Sequence, residues 1–198
     1  LYSESDHILK MPVETAEKKI LFINDGEHRY LFKKIIDRGA HTLVNYQYRG
    51  EADKMRLPTI PVLSVLGDIE KLSVRAGFYD VIYAPLVLEE SLLQKELTAK
   101  MTQSLKNGGR LIVCVCHPHW EHILYNQNPA ESGSLGNSLS SYFHILKENH
   151  LYIEDIQEGV VDGHLKPFFR GDDETDYYYE YKDVPVTLTL QAVKYVKK

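Results

Sequence analysis

The residues best suited to chemistry stand in His117-Pro118-His119-Trp120-Glu121-His122, directly after the most apolar run of the chain. Imidazole titrates near neutral pH, so a histidine beside a bound substrate can accept its proton, and His117 and His119 are the candidates for a general base. Three histidines at this spacing also resemble a metal cluster. Glu121 is the sole carboxylate among them, however, and Pro118 would bend the backbone between ligands, so no metal site is expected. A second stretch, Asn24-Asp25-Gly26-Glu27-His28, follows another short apolar run. It reads either as a ligand loop, with Gly26 letting the backbone approach a bound group, or as an ordinary strand-to-helix turn capped by Asn24 or Asp25. Asp68, just before Ile69, is placed to cap a helix. Cys114 and Cys116 would share one face of a strand, cannot make a disulfide framework, and read as core residues. Asp172-Asp173-Glu174-Thr175-Asp176-Tyr177-Tyr178-Tyr179-Glu180-Tyr181 would suit a cationic partner or an aromatic-lined pocket, or else a solvated hairpin with alternating tyrosine packing.

These residues need elements to position them. Lys19 to Ile23 is a short apolar strand ending at Asn24-Asp25-Gly26, and Glu27 to Arg38 has helical spacing up to a stop at Gly39. Thr42 to Val44, Ile60 to Leu66 and Asp80 to Tyr83 read as further strands, Leu86 to Leu105 as a helix ending at Asn107-Gly108-Gly109, and Arg110 to Cys116 as a fifth strand. Leu139 to Asn149 is helical, while Tyr152 to Ile156 and Val184 to Val196 are strands. Residues 160–182 carry no strong regular pattern and read as a loop or lid. Strands alternating with helices predict an α/β fold with a doubly wound, mostly parallel sheet. Such sheets bind ligands at the carboxyl ends of their strands.

The chain has 198 residues, 43% hydrophobic and 26% charged, with a net charge of −5. That predicts one folded domain over 1–198, with residues 1–17 as a lead-in, and it excludes the basic footprint of a nucleic-acid binder. No apolar stretch approaches the roughly 20 residues of a membrane-spanning helix, and the first thirty residues lack a signal-peptide pattern, so a cytoplasmic location is expected.

Several local sequences fall in a telling order. Leu66-Gly67-Asp68-Ile69-Glu70-Lys71-Leu72 follows the third strand, and Phe78-Tyr79-Asp80-Val81-Ile82 enters the fourth. Leu86-Val87-Leu88-Glu89 and Leu105-Lys106-Asn107-Gly108-Gly109-Arg110-Leu111-Ile112 lead into the fifth, with His117-Pro118 just beyond it. Leu139-Ser140-Ser141-Tyr142-Phe143 with Leu146, and Asp183-Val184-Pro185-Val186 through Ala192-Val193-Lys194, complete the series. From about Lys18 to Lys194 this resembles the class I S-adenosylmethionine-dependent methyltransferases of the small-molecule type. The resemblance implies a doubly wound, mostly parallel seven-stranded sheet with an antiparallel last strand, and S-adenosylmethionine as cofactor, with Asn24 and Gly26 in its glycine loop, Tyr46 (or Asn45, one register away) at the ribose and Asp68 with Ile69 at the adenine. It also puts His117 and His119 near a small-molecule acceptor.

The departures from the family's pattern are as specific as the matches. Phe22 stands where the first strand carries an acidic residue, Asn24 and His28 replace the first and third glycines, and only Gly26 remains. Tyr46 offers one hydroxyl where a carboxylate would bind both ribose hydroxyls. Two functions therefore stand side by side: a methyltransferase acting on a small molecule, or a methyltransferase-like pseudoenzyme that binds the cofactor weakly or not at all and serves as a binding or regulatory module for a protein partner.

Overall fold

The structure is a computed structural model that describes residues 7–26, 28–49, 62–90, 94–120, 123, 138–169 and 176–195. Its first strand, β1 (Lys19–Asn24), sends Ile20 and Phe22 to one apolar layer and Leu21 and Ile23 to the other. A strand apolar on both faces must be central and covered twice. The cover on one side is α1 (Arg29–Asp37), whose Leu31, Phe32, Ile35 and Ile36 meet Ile20 and Phe22. On the other side lie α3 (Gln94–Ser104) and α4 (Leu139–Glu148), which contribute Leu97, Met101, Tyr142 and Leu146.

The remaining elements are β2 (Thr42–Gln47), β3 (Val62–Leu66), a 3-10 turn (Ile69–Lys71), β4 (Tyr79–Pro85), α2 (Val87–Glu90), β5 (Leu105–Cys116), β6 (Leu151–Val160), a second 3-10 turn (Lys166–Phe169), α5 (Tyr178–Tyr181) and β7 (Pro185–Lys194). The strands lie in the order β3-β2-β1-β4-β5-β7-β6. The first five pair in parallel, and β7 runs antiparallel to both β5 and β6. This is the doubly wound, mostly parallel seven-stranded sheet with an antiparallel last strand that the family resemblance implies.

Several boundaries move, each for a physical reason. β2 continues three residues past Val44 because Asn45, Tyr46 and Gln47, although polar, are buried and paired in register with Phe22, Ile23 and Asn24. The helix expected over Leu86 to Leu105 ends at Ser104, and Asn107-Gly108-Gly109 lies inside the β5 range. There Gly108 takes a positive φ of 75° and the register with β4 shifts between Tyr79 and Val81. The helix after β1 begins at Arg29 with His28 as its N-cap residue. The lead-in joins the core: residues 7–10 are helical, Ile8 and Met11 are buried, and Arg38 donates to the Leu9 carbonyl at 2.7 Å. Part of residues 160–182 also folds, around a small core in which Trp120 packs edge-on against Phe169 and Tyr181 at 6.0 and 5.6 Å.

At the amino ends of the strands, Asp80 ties three segments together. It accepts the Lys19 amide at 2.9 Å and the Lys106 ammonium at 2.6 Å. Burial alone would raise its carboxyl, but the Lys106 hydrogen bond and the Lys19 amide hold it below the usual range. In the core, burial pushes the Tyr83 phenol up to about 12. A phenol whose pKa is raised on folding stabilises fully below its unfolded value near 10 and loses that contribution as pH rises toward the folded value. Urea unfolding should therefore show the wild type losing about 2 kcal/mol more between pH 9 and pH 12 than Tyr83→Phe; equal losses would contradict the burial argument.

β7 adds a second test. The Thr187 and Thr189 hydroxyls and the Gln191 side-chain carbonyl are buried without hydrogen-bond partners among the described residues. Replacing a buried, unmatched hydroxyl by a methyl removes a desolvation cost, so Thr189→Val should be neutral or stabilising by about 1 kcal/mol in thermal unfolding. Destabilisation by that amount would mean the hydroxyl is satisfied.

Candidate functional site

Parallel strands deliver their carboxyl ends to one rim, and two groups of candidate residues gather there. The first surrounds the ends of β1, β2 and β3. Asn24, the last residue of β1, donates through Nδ2 to Asn45 Oδ1 at 2.7 Å and accepts the Gly26 amide on its own Oδ1 at 2.7 Å. Its carbonyl takes the Tyr48 amide at 3.0 Å. One buried side chain thus ties β1 to β2 and shapes the turn that follows. Asn24 caps that turn rather than the helix. Asp25 instead pairs with His28, Oδ1 to Nδ1 at 3.1 Å, and His28 is only 2% exposed at the start of α1. Gly26 takes a φ of 99°, a conformation that favours glycine.

Across the rim, Tyr46 is 7% exposed and donates its phenol to the Asp68 carbonyl at 2.9 Å. Burial raises its pKa, and the Asp68 charge adds to the effect. Gln47 accepts the Gly67 amide on its main-chain carbonyl at 3.0 Å and sends Nε2 to the Arg49 carbonyl at 2.7 Å. Asp68 caps the 3-10 turn, accepting the Glu70 amide at 3.0 Å, and its other oxygen lies 3.2 Å from Lys71. The Glu70 amide and then the Lys71 ammonium hold its carboxyl below the usual range. Ile69 is buried in the layer that also holds Tyr46 and Leu72.

The second group lies at the end of β5, two strands from β1 and so about 10 Å away. His117 donates its amide to the Val186 carbonyl, bringing the end of β5 against β7. Its ring accepts the His119 amide on Nδ1 at 3.1 Å and faces Glu158 Oε1 with Nε2, also at 3.1 Å. An Nδ1 that accepts must be unprotonated, which puts the proton of the neutral ring on Nε2, toward Glu158. His119 is exposed. His122, the third histidine of the triplet, and the neighbouring Glu121 lie outside the described residues, as do Asp172 to Thr175 of the acidic stretch. Cys114 packs in the core beside Ile112 and Tyr83.

Asn24, Gly26, Tyr46, Asp68 and Ile69 are therefore gathered around one end of the rim, and His117 and His119 around the other. Two residues here escaped the sequence reading, Gln47 and Glu158. Gln47 left a signal, a polar residue two positions after Asn45 at the end of an apolar strand. Glu158 left none, because it meets His117 only through the β5–β7–β6 pairing.

No family model matches the sequence, and no curated protein matches it. Solved structures do. An S-adenosylmethionine-dependent methyltransferase from Mesorhizobium loti superposes with a TM-score of 0.73 at 15% identity, over 96% of this chain and 97% of that one. This chain has the class I methyltransferase fold. A complex between the Haloferax volcanii Trm112 methyltransferase activator and its methyltransferase partner gives a TM-score of 0.76 at 16% identity, over 100% and 90% of the two chains. Geranyl diphosphate C-methyltransferase from Streptomyces coelicolor, in complex with Mg2+, geranyl diphosphate and S-adenosyl-L-homocysteine, gives 0.70 at 12% identity, over 98% and 77%. At these identities the likeness is one of fold, and a fold does not by itself set a reaction.

Within this methyltransferase fold, the turn after β1 depends on Gly26. Gly26→Ala would put a side chain on a φ of 99° and should cost on the order of 1–3 kcal/mol in urea unfolding. An unchanged midpoint would show that the turn relaxes freely.

Proposed function

We propose that this chain is a methyltransferase-fold binding module that does not hold S-adenosylmethionine in the manner the family resemblance implies. The observation that carries the reading is the engagement of the strand-end polar groups with one another. Asn24 and Asn45 are bonded to each other, Tyr46 to a main-chain carbonyl and His28 to Asp25. Phe22, where the resemblance calls for an acidic residue, is buried in the apolar layer under α1. A sulfonium cofactor with a ribose diol and an amino-acid end requires carboxylates and approachable backbone amides at these places. The donor set present does not fit that group.

The module would offer a partner its β6–β7 segment. Phe168 and Tyr179 are 76% and 71% exposed there. Lys166 lies over the Tyr179 ring at 4.8 Å and so holds it in place. The adjoining acidic sequence favours a partner that is basic or amphipathic.

A second reading, a methyltransferase for a small molecule, is favoured by Asp68. Its side chain is 47% exposed beside Ile69, at the place the resemblance assigns to the adenine. On that reading His119 is the better proton acceptor, since both His117 ring nitrogens already face partners.

Calorimetric titration of the chain with S-adenosylmethionine, and then with S-adenosylhomocysteine, separates the two. The binding-module reading expects no heat and no thermal shift at about 1 mM ligand, a Kd weaker than about −4 kcal/mol corresponds to. A micromolar Kd, near −8 kcal/mol, would overturn it in favour of the enzyme.

A further inference from the structure

We propose that residues 7–13 form a releasable strap, which lifts from the β5–β7–β6 half of the sheet as a unit while the rest of the fold stays intact. The strap lies on a face of the sheet rather than at its rim, and its release does not depend on whether the chain binds a cofactor.

The two faces of β7 are unlike. Leu188, Leu190 and Ala192 enter the layer under α3 and α4, while Thr187, Thr189 and Gln191 point the other way. Apolar and polar residues alternating along a strand are the pattern of a sheet with one face in water. The register carries that pattern across to β6, where Gln157 stands beside Thr189 and Asp155 beside Gln191. Yet Thr187, Thr189 and Gln191 are all buried, and both hydroxyls and Gln191 Oε1 have no hydrogen-bond partner among the described residues. Three unmatched atoms in a row on one strand each regain a water partner when their cover leaves.

That cover is the lead-in. A Cβ at Gly159 would meet Thr187 Oγ1 and, at 2.8 Å, the His7 ring, so His7 lies over the Thr187 side of the sheet. Ile8 and Met11 then join Ile112 and Cys114 of β5 in one apolar layer. Cys114 stands opposite Thr189 in the register and is fully buried. The polar ties of this cover are few. Among the described residues, the main-chain bonds of 8–13 stay within the segment, from Met11 to Ile8 at 3.3 Å and from Val13 to Met11 at 2.8 Å. The side-chain bond that reaches it from outside is Arg38 to the Leu9 carbonyl at 2.7 Å. From Thr15 onward the chain is anchored again, for Thr15 is buried and the Glu17 amide donates to the Gly39 carbonyl at 2.9 Å. Pro12 and Glu14, both exposed, lie between the two, and the strap hinges there.

The Cys114 thiol reports the release, because it is closed off beneath the strap. The test follows its alkylation by iodoacetamide in a Cys116→Ser background, read by intact mass, at reagent concentrations where the rate is proportional to reagent. Lifting a short strap exposes little surface, so the rate should stay within about twofold from zero urea to well below the unfolding midpoint. Arg38→Gln, which frees the Leu9 carbonyl, should raise the rate about threefold, and Thr189→Val should lower it about fivefold. Leu97→Ala weakens the opposite layer and should change the rate by less than about twofold, although it lowers global stability. A rate that climbs with the full urea slope of unfolding, or that rises in Leu97→Ala as far as global stability falls, overturns the strap. So does the absence of labelling short of the unfolding transition, or a rate indifferent to both Arg38→Gln and Thr189→Val. Should Leu97→Ala fail to fold, the urea series on the Cys116→Ser chain still decides, since local and global opening differ in slope there.

Discussion

The 2.7 Å bond from Asn24 Nδ2 to Asn45 Oδ1 is the interaction on which the rim of this sheet depends. Two amides buried at the ends of adjacent parallel strands must find partners or pay a desolvation cost of about 1–3 kcal/mol each. Finding each other, they extend the β1–β2 register to its last residue and leave Asn24 Oδ1 to shape the turn at Gly26. Gln47 follows two residues after Asn45 and so faces the same side, against that turn. The turn so shaped leads into α1, with His28 at its start and Gln47 beside Gly26.

The opposite end of the sheet obeys a different logic. There Asp80 gathers the Lys19 amide and the Lys106 ammonium, and Lys19 Nζ stands 4.5 Å above the Phe78 ring. Charges at that end are half-exposed and paired at the surface. At the carboxyl ends of β1 and β2, Asn24, Asn45, Tyr46 and Gln47 are neutral, buried and hydrogen-bonded within the chain, with the exposed Asp68 beside them. In a fold that places ligands at the carboxyl end, such an arrangement favours a stable rim over an open one, and this is the physical content of the binding-module reading.

Much of the fold was legible because central strands write themselves as apolar runs. Lys19 to Ile23 could be read within a residue of its ends and Arg110 to Cys116 to its carboxyl end, though β5 starts five residues earlier, and the family resemblance supplied the number of strands and the orientation of the last. The site was less legible. Asn45, Tyr46 and Gln47 read as loop because a polar residue in a strand becomes intelligible only when its neighbour across the sheet is known, and Asn24 lies 21 residues away in sequence. Glu158 reaches His117 across 41 residues for the same reason. Asn107-Gly108-Gly109 reads as a helix stop, and it does follow the helix, but the backbone is already extended at Leu105 because β4 offers pairing there. The aromatic residues of the β6–β7 segment lack periodicity, since their small core is completed by Trp120 from the helical turn after β5.

The central claim is that the rim's polar side chains are bound to one another rather than held ready for a ligand. A double-mutant cycle in urea unfolding measures this directly, comparing Asn24→Ala, Asn45→Ala and the pair. Mutual engagement predicts a coupling energy of about 1 kcal/mol or more, the pair costing less than the sum of the single changes. Additivity within about 0.3 kcal/mol would show that the two amides act independently and would contradict the account.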